Sequence, residues 1–250
     1  MKISLLTVSY NSALTIEDTI QSVLSQDYPD VEYIVVDGSS TDGTQQIIQS
    51  HQNRISKWIS EPDHGIYDAM NKAIGMASGD VIGIINSDDF YAHPGVLTKV
   101  AETLAKNQVD AVYGDLVFVD PGNLKKIVRH YSSQNWQPGK FAWGFMPAHP
   151  TFFVKSSWYA KAGLFKTDYK IAADYEMLIR LLYVHRVSYA YIHENMVVMR
   201  RGGVSSNGIK SNIVLNQEIL RACRENGIST NYLKIYSKYF RKVFELIGKG

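Results

Sequence analysis

With Cys223 as its only cysteine in 250 residues, the chain cannot form an intramolecular disulfide or a cysteine-rich zinc site. Such scarcity points to a reducing compartment. No apolar run approaches the roughly 20 residues that a membrane-spanning helix needs. The N-terminal MKISLLTVSYNS is interrupted by Ser4, Thr7 and Ser9, and no small-residue cleavage site follows it. It reads as a first strand rather than a signal peptide, and a cytoplasmic location is expected. Charge of either sign is in short surplus, 26 Lys and Arg against 24 Asp and Glu, so totals show no nucleic-acid footprint. Glycine-rich phosphate loops are missing as well. The first strand runs into Tyr10-Asn11-Ser12, which argues against a Rossmann dinucleotide site. Gly203 to Lys210 fails as a P-loop because Ile209 stands between Gly208 and Lys210. There is no G-x-S-x-G elbow, and one isolated cysteine makes no case for thiol catalysis.

What is present is an alternation of strand and helix patterns. Residues 3–9, 33–36, 55–60, 81–85 and 111–119 read as strands, the last turning at Asp120-Pro121-Gly122-Asn123 into a hairpin partner at 125–130. Helices are expected at 14–25, 44–50, 65–77, 96–104 and about 173–184, and another strand at 187–191. In the 65–77 helix, Ile66, Met70, Ala73 and Ala77 form the predicted core face. Alternating elements of this length imply right-handed βαβ units, hence an α/β fold with a mainly parallel sheet flanked by helices. Its first part resembles a Rossmann-like nucleotide-binding sheet and continues into a less regular second half. Ligands of such sheets bind beyond the carboxyl ends of strands, where strand order switches. Polar clusters stand at three such ends: TVSYNS, DGSSTDGT and NSDDFY.

NSDDFY poses the sharpest question, because a buried run, Val81 to Ile85, ends in adjacent carboxylates that repel and resist desolvation. A helix cap is one explanation, but the next helix starts too late for Asp88 or Asp89 to cap it directly. A hard divalent cation, Mg²⁺ or Mn²⁺, bridging to substrate phosphates is the other. Asp37 closes the second strand and is either a turn residue or an acceptor for a base or ribose. In EPDHGIYDAMNK, Asp68 and Lys72 are spaced as an ordinary i,i+4 ion pair, yet they also flank a helix start suited to anionic groups.

Together, TVSYNS, VVDGSSTDGT, EPDHGIYDAMNKAI with ASGD, and IINSDD resemble inverting family 2 glycosyltransferases of the GT-A fold. The likeness is to bacterial enzymes that assemble capsule, exopolysaccharide and O-antigen repeats. It is strong over residues 1 to about 91 and looser through HPTFFVKSSWYAKAGLF, IAADYEMLIRL and MRRGGVS to about 205. The resemblance implies one domain over 1–205, with a nucleotide-sugar half at 1–119 and an acceptor half at 120–205. It implies that Thr7 and Tyr10 line the nucleotide pocket and that Asp37 meets the base or ribose. Asp68, Lys72, Asn86 and Ser87 would join the donor site, and Asp88 would hold Mn²⁺ or Mg²⁺ against the donor diphosphate. Asp174 matches the general base, His149 falls near the acceptor, and Arg201 would meet the diphosphate. Two positions depart from the family pattern. Asn86 replaces the first carboxylate of D-x-D, and Ala173 stands where a Glu usually precedes the base, which leaves Glu176 as a second candidate base.

The expected reaction is one inverting transfer of a sugar from a UDP-sugar, or alternatively a GDP-sugar, to a hydroxyl of a growing, lipid-linked surface glycan. The alternatives are a sugar-phosphate nucleotidyltransferase and a non-catalytic glycan-binding subunit. Residues 206–250 are expected to form a helical extension. Within it Lys234, Lys238, Arg241, Lys242 and Lys249 face Glu245 alone, and Leu233, Tyr236, Phe240, Val243, Phe244 and Ile247 share helical spacing. Either this stripe packs on the domain or the basic helix lies peripherally on the anionic inner face of the plasma membrane.

Overall fold

The computed structural model describes residues 1–202 and 208–237, with the side chain of Ile209 excepted. In chain order the elements are β1 (Ile3–Ser9), α1 (Ile16–Leu24), β2 (Val31–Asp37), α2 (Thr44–Ser50), β3 (Lys57–Ser60), α3 (Ile66–Met76), β4 (Val81–Ile84), β5 (Asp89–Tyr91) and α4 (Val96–Asn107). Then come β6 (Ala111–Asp120), β7 (Asn123–Tyr131), β8 (Phe153–Lys155), α5 (Ser157–Ala162), α6 (Ala173–Ile179), β9 (Tyr189–Arg200) and α7 (Gly208–Glu225).

A single sheet runs β3-β2-β1-β4-β8-β6-β9-β5, with β7 added to β6. The first four strands pair in parallel, as βαβ units require. Beyond β4 the sheet becomes mixed. β8 is antiparallel to both β4 and β6, β9 runs parallel to β6, and β5 and β7 add antiparallel edges.

Period-two alternation decides which side chains meet which helices. Ile3, Leu5, Tyr33 and Val35 enter one apolar layer with Ile16, Ile20 and Ile48 of α1 and α2 and Val96, Leu97, Val100 and Leu104 of α4. Leu6, Val8, Ile34 and Val36 enter the other with Met70 and Ala73 of α3. The sheet is thus covered on both faces, which explains its near-continuous apolar strands. Gly83 serves the same packing. A Cβ there would run into the Phe153 ring, which lies across β4 from its partner strand β8.

Several expectations need correction. The core face of α3 includes Tyr67 and Ile74, whereas Ile66 is 45% exposed. The expected helix to residue 184 is α6 followed by a π-helical turn at Arg180–Val184. β9 is much longer than residues 187–191, because the polar run His193-Glu194-Asn195 crosses an irregular register against β6 before apolar pairing resumes. Ile219, Leu220, Ala222 and Cys223 of α7 join the same core as α3.

Of the basic tail, residues 238–250 lie outside the described residues, as do 203–207 of the RRGGVS segment. The helical turn at 232–237 buries Ile235, while Leu233 is 85% exposed.

Candidate active site

The ends of β1, β2 and β4 gather the donor-side residues. The chain crosses from β1 to β2 on one side and to β4 on the other, the switch in strand order at which a crevice opens. Tyr10, just past β1, is 66% exposed. Thr7 and Asp37, in contrast, have no exposed surface. The Thr7 hydroxyl accepts from Tyr33 at 3.2 Å. Asp37 accepts four hydrogen bonds: from the Ser9 and Ser60 hydroxyls at 3.1 and 2.7 Å, and from the Ser40 hydroxyl and backbone N–H at 2.5 and 2.9 Å. Its lone pairs are already taken. In this structure Thr7 and Asp37 are thus buried and engaged by neighbouring side chains.

Asp63 reaches the surface instead. Its carboxylate leans over Gly38 so closely that a Cβ there would collide with it, and the Tyr10 ring lies 3.4 Å from the same point. Tyr10, Gly38 and Asp63 therefore make a continuous wall. In the sequence Asp63 lies inside the EPDHGIYDAMNK motif, and its signal is Asp63-His64-Gly65, where Asp63 accepts the Gly65 N–H at 2.8 Å. Asp68 and Lys72 are spent largely on this same loop. Asp68 accepts the His64 N–H at 3.0 Å, while Lys72 donates to the Pro62 carbonyl at 2.8 Å and pairs with Glu61 at 2.9 Å.

After β4, Asn86 to Asp89 turn back to start β5. Ser87 shares a hydrogen bond of 2.8 Å with Ser12, and Thr19 donates to the Asp89 carbonyl at 2.6 Å. Asp88 is half-buried, and burial lifts its pKa above the usual carboxylate range although Arg200 pulls the other way. Asp89 is fully buried, and burial followed by the charge of Asp88 drives its pKa up strongly. The Asn86 side chain and the Arg200 backbone approach the Asp89 carboxylate without a well-formed hydrogen bond, and the Asn86 side-chain oxygen accepts none. Under-satisfied hard oxygens beside a half-buried carboxylate suit a divalent cation. Among the described residues no group of three His, Cys, Asp or Glu side chains could enclose a metal, so substrate oxygens would complete the shell of an ion held by Asp88.

Arg200, which sequence reasoning passed over for its neighbour, donates to the Asp88 carbonyl at 2.6 Å and also contacts Asp18. Arg201 is exposed, and its backbone N–H binds the Val119 carbonyl at 3.1 Å. The Arg-Arg doublet was the visible signal; Arg200 ends β9 and Arg201 opens the turn after it, and it is the Arg200 side chain that meets the Asp88 turn.

On the acceptor side, Asp174 occupies the first turn of α6 and accepts the Tyr175 N–H at 2.7 Å. Burial raises its pKa, His149 opposes that rise, and Glu218 adds to it. His149, in the 3-10 turn His149–Thr151, packs edge-on against Phe165 and has its own pKa lowered by burial. Asp174 and His149 thus share one electrostatic environment. A carboxylate with a raised pKa is a better proton acceptor, as base catalysis at neutral pH requires. Glu176 is ruled out of that role. It is fully buried and bound by Lys166 at 2.9 Å, Arg180 at 2.8 Å and Asn226 at 3.3 Å. The two sides are joined through α3, where Tyr67 donates to the Ile171 carbonyl at 2.5 Å and Asn71 exchanges two bonds with the backbone of Phe165.

The family description "Glycosyl transferase family 2" matches residues 4–165, well over half of the chain. The chain belongs to glycosyl transferase family 2. This glycosyltransferase is 33% identical over 190 residues to an uncharacterised glycosyltransferase of Mycobacterium tuberculosis, covering 71% of this chain and 68% of that one. Over a shorter stretch of 90 residues it is 42% identical to the putative teichuronic acid biosynthesis glycosyltransferase TuaG of Bacillus subtilis, covering 35% of this chain and 36% of TuaG. Among solved structures it resembles S. aureus TarS 1–349 in complex with UDP-GlcNAc, with a TM-score of 0.72 and 19% identity over 89% of this chain and 66% of that one. It also resembles the mannosyltransferase PcManGT of Pyrobaculum calidifontis in complex with GDP-Man and Mn²⁺, with a TM-score of 0.65 and 21% identity over 90% of this chain and 63% of that one. The chain spans slightly under two thirds of these solved chains, and at such identity the likeness is one of fold: a GT-A α/β architecture.

Proposed function

We propose that this family 2 glycosyltransferase transfers a single sugar, with inversion, from a nucleotide diphosphate donor to a hydroxyl of a bacterial surface glycan built on a lipid carrier. A UDP-sugar is the favoured donor and a GDP-sugar the alternative. The observation that carries the reading is the pairing of two carboxylate sites. The Asp88 turn closes β4 with under-satisfied oxygens, while Asp174, with a raised pKa, shares its electrostatic environment with His149. The TarS and PcManGT complexes, with UDP-GlcNAc and with GDP-Man and Mn²⁺, support the donor class, and the TuaG likeness supports a surface glycan.

In this mechanism Tyr10 and Asp63 bracket the nucleoside over Gly38. Asp88, with Asn86 and Ser87 in its turn, faces the diphosphate, where a divalent cation would offset charge on the leaving group. Arg201 adds a second positive charge to that leaving group. Asp174 takes the proton of the acceptor hydroxyl as its oxygen attacks the anomeric carbon, and one such attack inverts the configuration. His149 borders the acceptor and limits the rise in the pKa of Asp174.

Thermal unfolding with UDP, GDP, CMP and dTDP, each with and without Mn²⁺, tests the reading. Ligand at a hundredfold its Kd adds about 2.7 kcal/mol, which at this size raises Tm by roughly 5 to 10 °C. A rise for UDP or GDP that requires Mn²⁺ is expected. No rise with any nucleotide would overturn the donor assignment, and pyrophosphate exchange into a nucleotide sugar would favour a nucleotidyltransferase.

Peripheral attachment to an anionic inner-membrane surface through residues 230–250 is part of the same proposal. Among the described residues no helix is long and apolar enough to cross a membrane. The exposure of Tyr232, Leu233 and nearby Trp143, with Lys234 set 5.7 Å from the Trp143 ring centre, suits an interfacial surface. Deleting residues 238–250 should abolish sedimentation with phosphatidylglycerol vesicles. Unchanged sedimentation would end the membrane proposal.

A further inference from the structure

We propose that Glu218 is the positioning residue for Asp174, its carboxylate holding the chain that leads into α6 in the one path that aims the base. The inference rests on the reading of Asp174 as general base. Glu218 is buried on α7, and its two oxygens accept three consecutive backbone N–H groups: Lys170 at 2.7 Å, Ile171 at 2.9 Å and Ala172 at 2.9 Å. Bonds from backbone N–H to an ionised carboxylate are shorter and stronger than neutral ones. Three of them on successive residues fix the peptide planes, and the next two residues are Ala173 and Asp174.

The need for such a device is local. Helix α6 starts after Ala172, which has no side chain able to cap it, where Ser, Thr, Asp or Asn would ordinarily serve. A carboxylate supplied from α7 takes over the ordering of this entry. Other bonds hold the segment at its flanks. Tyr67 and Asn71 of α3 bind Ile171 and Phe165, while Arg221 binds Asp168 and Glu225 accepts from Lys166 and Tyr169. Glu218 is the group among these that binds the backbone N–H groups adjoining Asp174.

Its charge matters as well as its reach. The charged and titratable groups facing Asp174 are His149 from the 3-10 turn, Tyr67 from α3, Tyr131 from β7 and Glu218 from α7. Of these Glu218 is the anion, and it favours the protonated form of Asp174. Glu218 therefore does two separable things: it orders the entry to α6, and it adds to the effect of burial, the larger cause, in keeping Asp174 a stronger base.

Three variants separate these effects. Glu218→Gln is nearly isosteric but neutral and loses acceptor capacity; Glu218→Ala loses the clamp; Asp174→Asn is the reference for the base itself. Amide hydrogen exchange across 168–176 needs no substrate. In Glu218→Ala the amides of Lys170, Ile171 and Ala172 should exchange at least tenfold faster while those of β1 and β2 stay protected. Unchanged exchange at those three amides would overturn the proposal. With Mn²⁺ and whichever of UDP-GlcNAc, UDP-glucose or GDP-mannose the wild-type protein turns over, Glu218→Gln should lower kcat about tenfold and Glu218→Ala about a hundredfold. The KM for the nucleotide sugar should hold in both, and the acid limb of the pH profile should move to lower pH as the anion is removed. A loss of kcat with an unmoved acid limb would reduce Glu218 to a structural contact. Full turnover in Asp174→Asn would instead remove the general-base reading, leaving the exchange result to judge the clamp alone.

Discussion

The turn at Asp88 and the pocket at Asp174 both withdraw a carboxylate from water, yet the fold supports them in opposite ways. The Asp88 turn grows directly out of β4 and is braced mainly by residues of the same motif-rich half, Ser12 and Thr19. Its brace from the later part of the chain is Arg200. Asp174 has almost no local support. Its surroundings come from α3, the 3-10 turn at His149 and α7. The Asp88 turn leaves oxygens under-satisfied, as would suit a site whose positive charge arrives with a ligand. The Asp174 pocket places His149 where it opposes the rise in the Asp174 pKa. Under the proposed function the difference would separate two tasks: holding a charge that comes and goes, and keeping a base at the right strength throughout.

The largest test of that division is loss of each carboxylate. Asp174→Asn and Asp88→Asn should both cut sugar transfer by about 10²- to 10⁴-fold, the range for a general base. Only Asp88→Asn should also weaken Mn²⁺-dependent nucleotide binding, read by calorimetry. Equal nucleotide affinities in the two variants would erase the distinction between the sites.

Next comes the brace on the donor turn. Arg200→Met removes a charged donor from the Asp88 carbonyl and the contact with Asp18, and bonds to charged groups contribute about 1.5–3 kcal/mol. Nucleotide affinity with Mn²⁺ should fall roughly tenfold and Tm should drop. Arg201→Met should raise the KM for the nucleotide sugar and leave Tm within about 1 °C, since exposed positions contribute little to stability. If the two variants behave alike, the structural separation of the arginine pair has no functional meaning.

The acceptor pocket has its own signature in pH. With the pKa of Asp174 raised, the acid limb of kcat/KM should lie above the ordinary carboxylate range. Because His149 opposes that rise, His149→Gln should move the limb to still higher pH. A limb at the usual aspartate value would mean that another group takes the proton.

How much of this could be read in advance follows the same division. The four parallel strands, the helices between them and the Asp88 turn were legible because each depends on a local pattern: period-two burial, a polar cluster at a strand end, a carboxylate pair. β5 and β8 span three residues each and carry no periodicity of their own. Glu218 was invisible for a different reason. Its partners lie 46 to 48 residues away and are backbone N–H groups, which have no residue type to recognise. The burial of Asp37 was not legible either, since a strand-end position does not reveal how many neighbouring hydroxyls, here Ser9, Ser40 and Ser60, will claim a carboxylate.

The smallest effect is the most specific to the acceptor pocket. A carboxylate whose pKa is higher in the folded than in the unfolded chain loses stability as pH rises between the two values, because the folded form holds its proton longer. Asp174 is such a group, so at neutral pH its charge opposes folding. Asp174→Asn keeps an oxygen for the Tyr175 N–H and removes the charge. Its Tm at pH 7 should exceed that of the wild type, by about 2 to 4 °C for each kcal/mol relieved. Below the ordinary aspartate pKa both forms are neutral there, and the gap should close. The inactive variant is then the more stable one, as expected where a site holds a charge for chemistry at the expense of the fold. A lower Tm at pH 7, or a gap that stays constant down to acid pH, would show that Asp174 is held by attractive contacts instead and that the pocket does not strengthen its base.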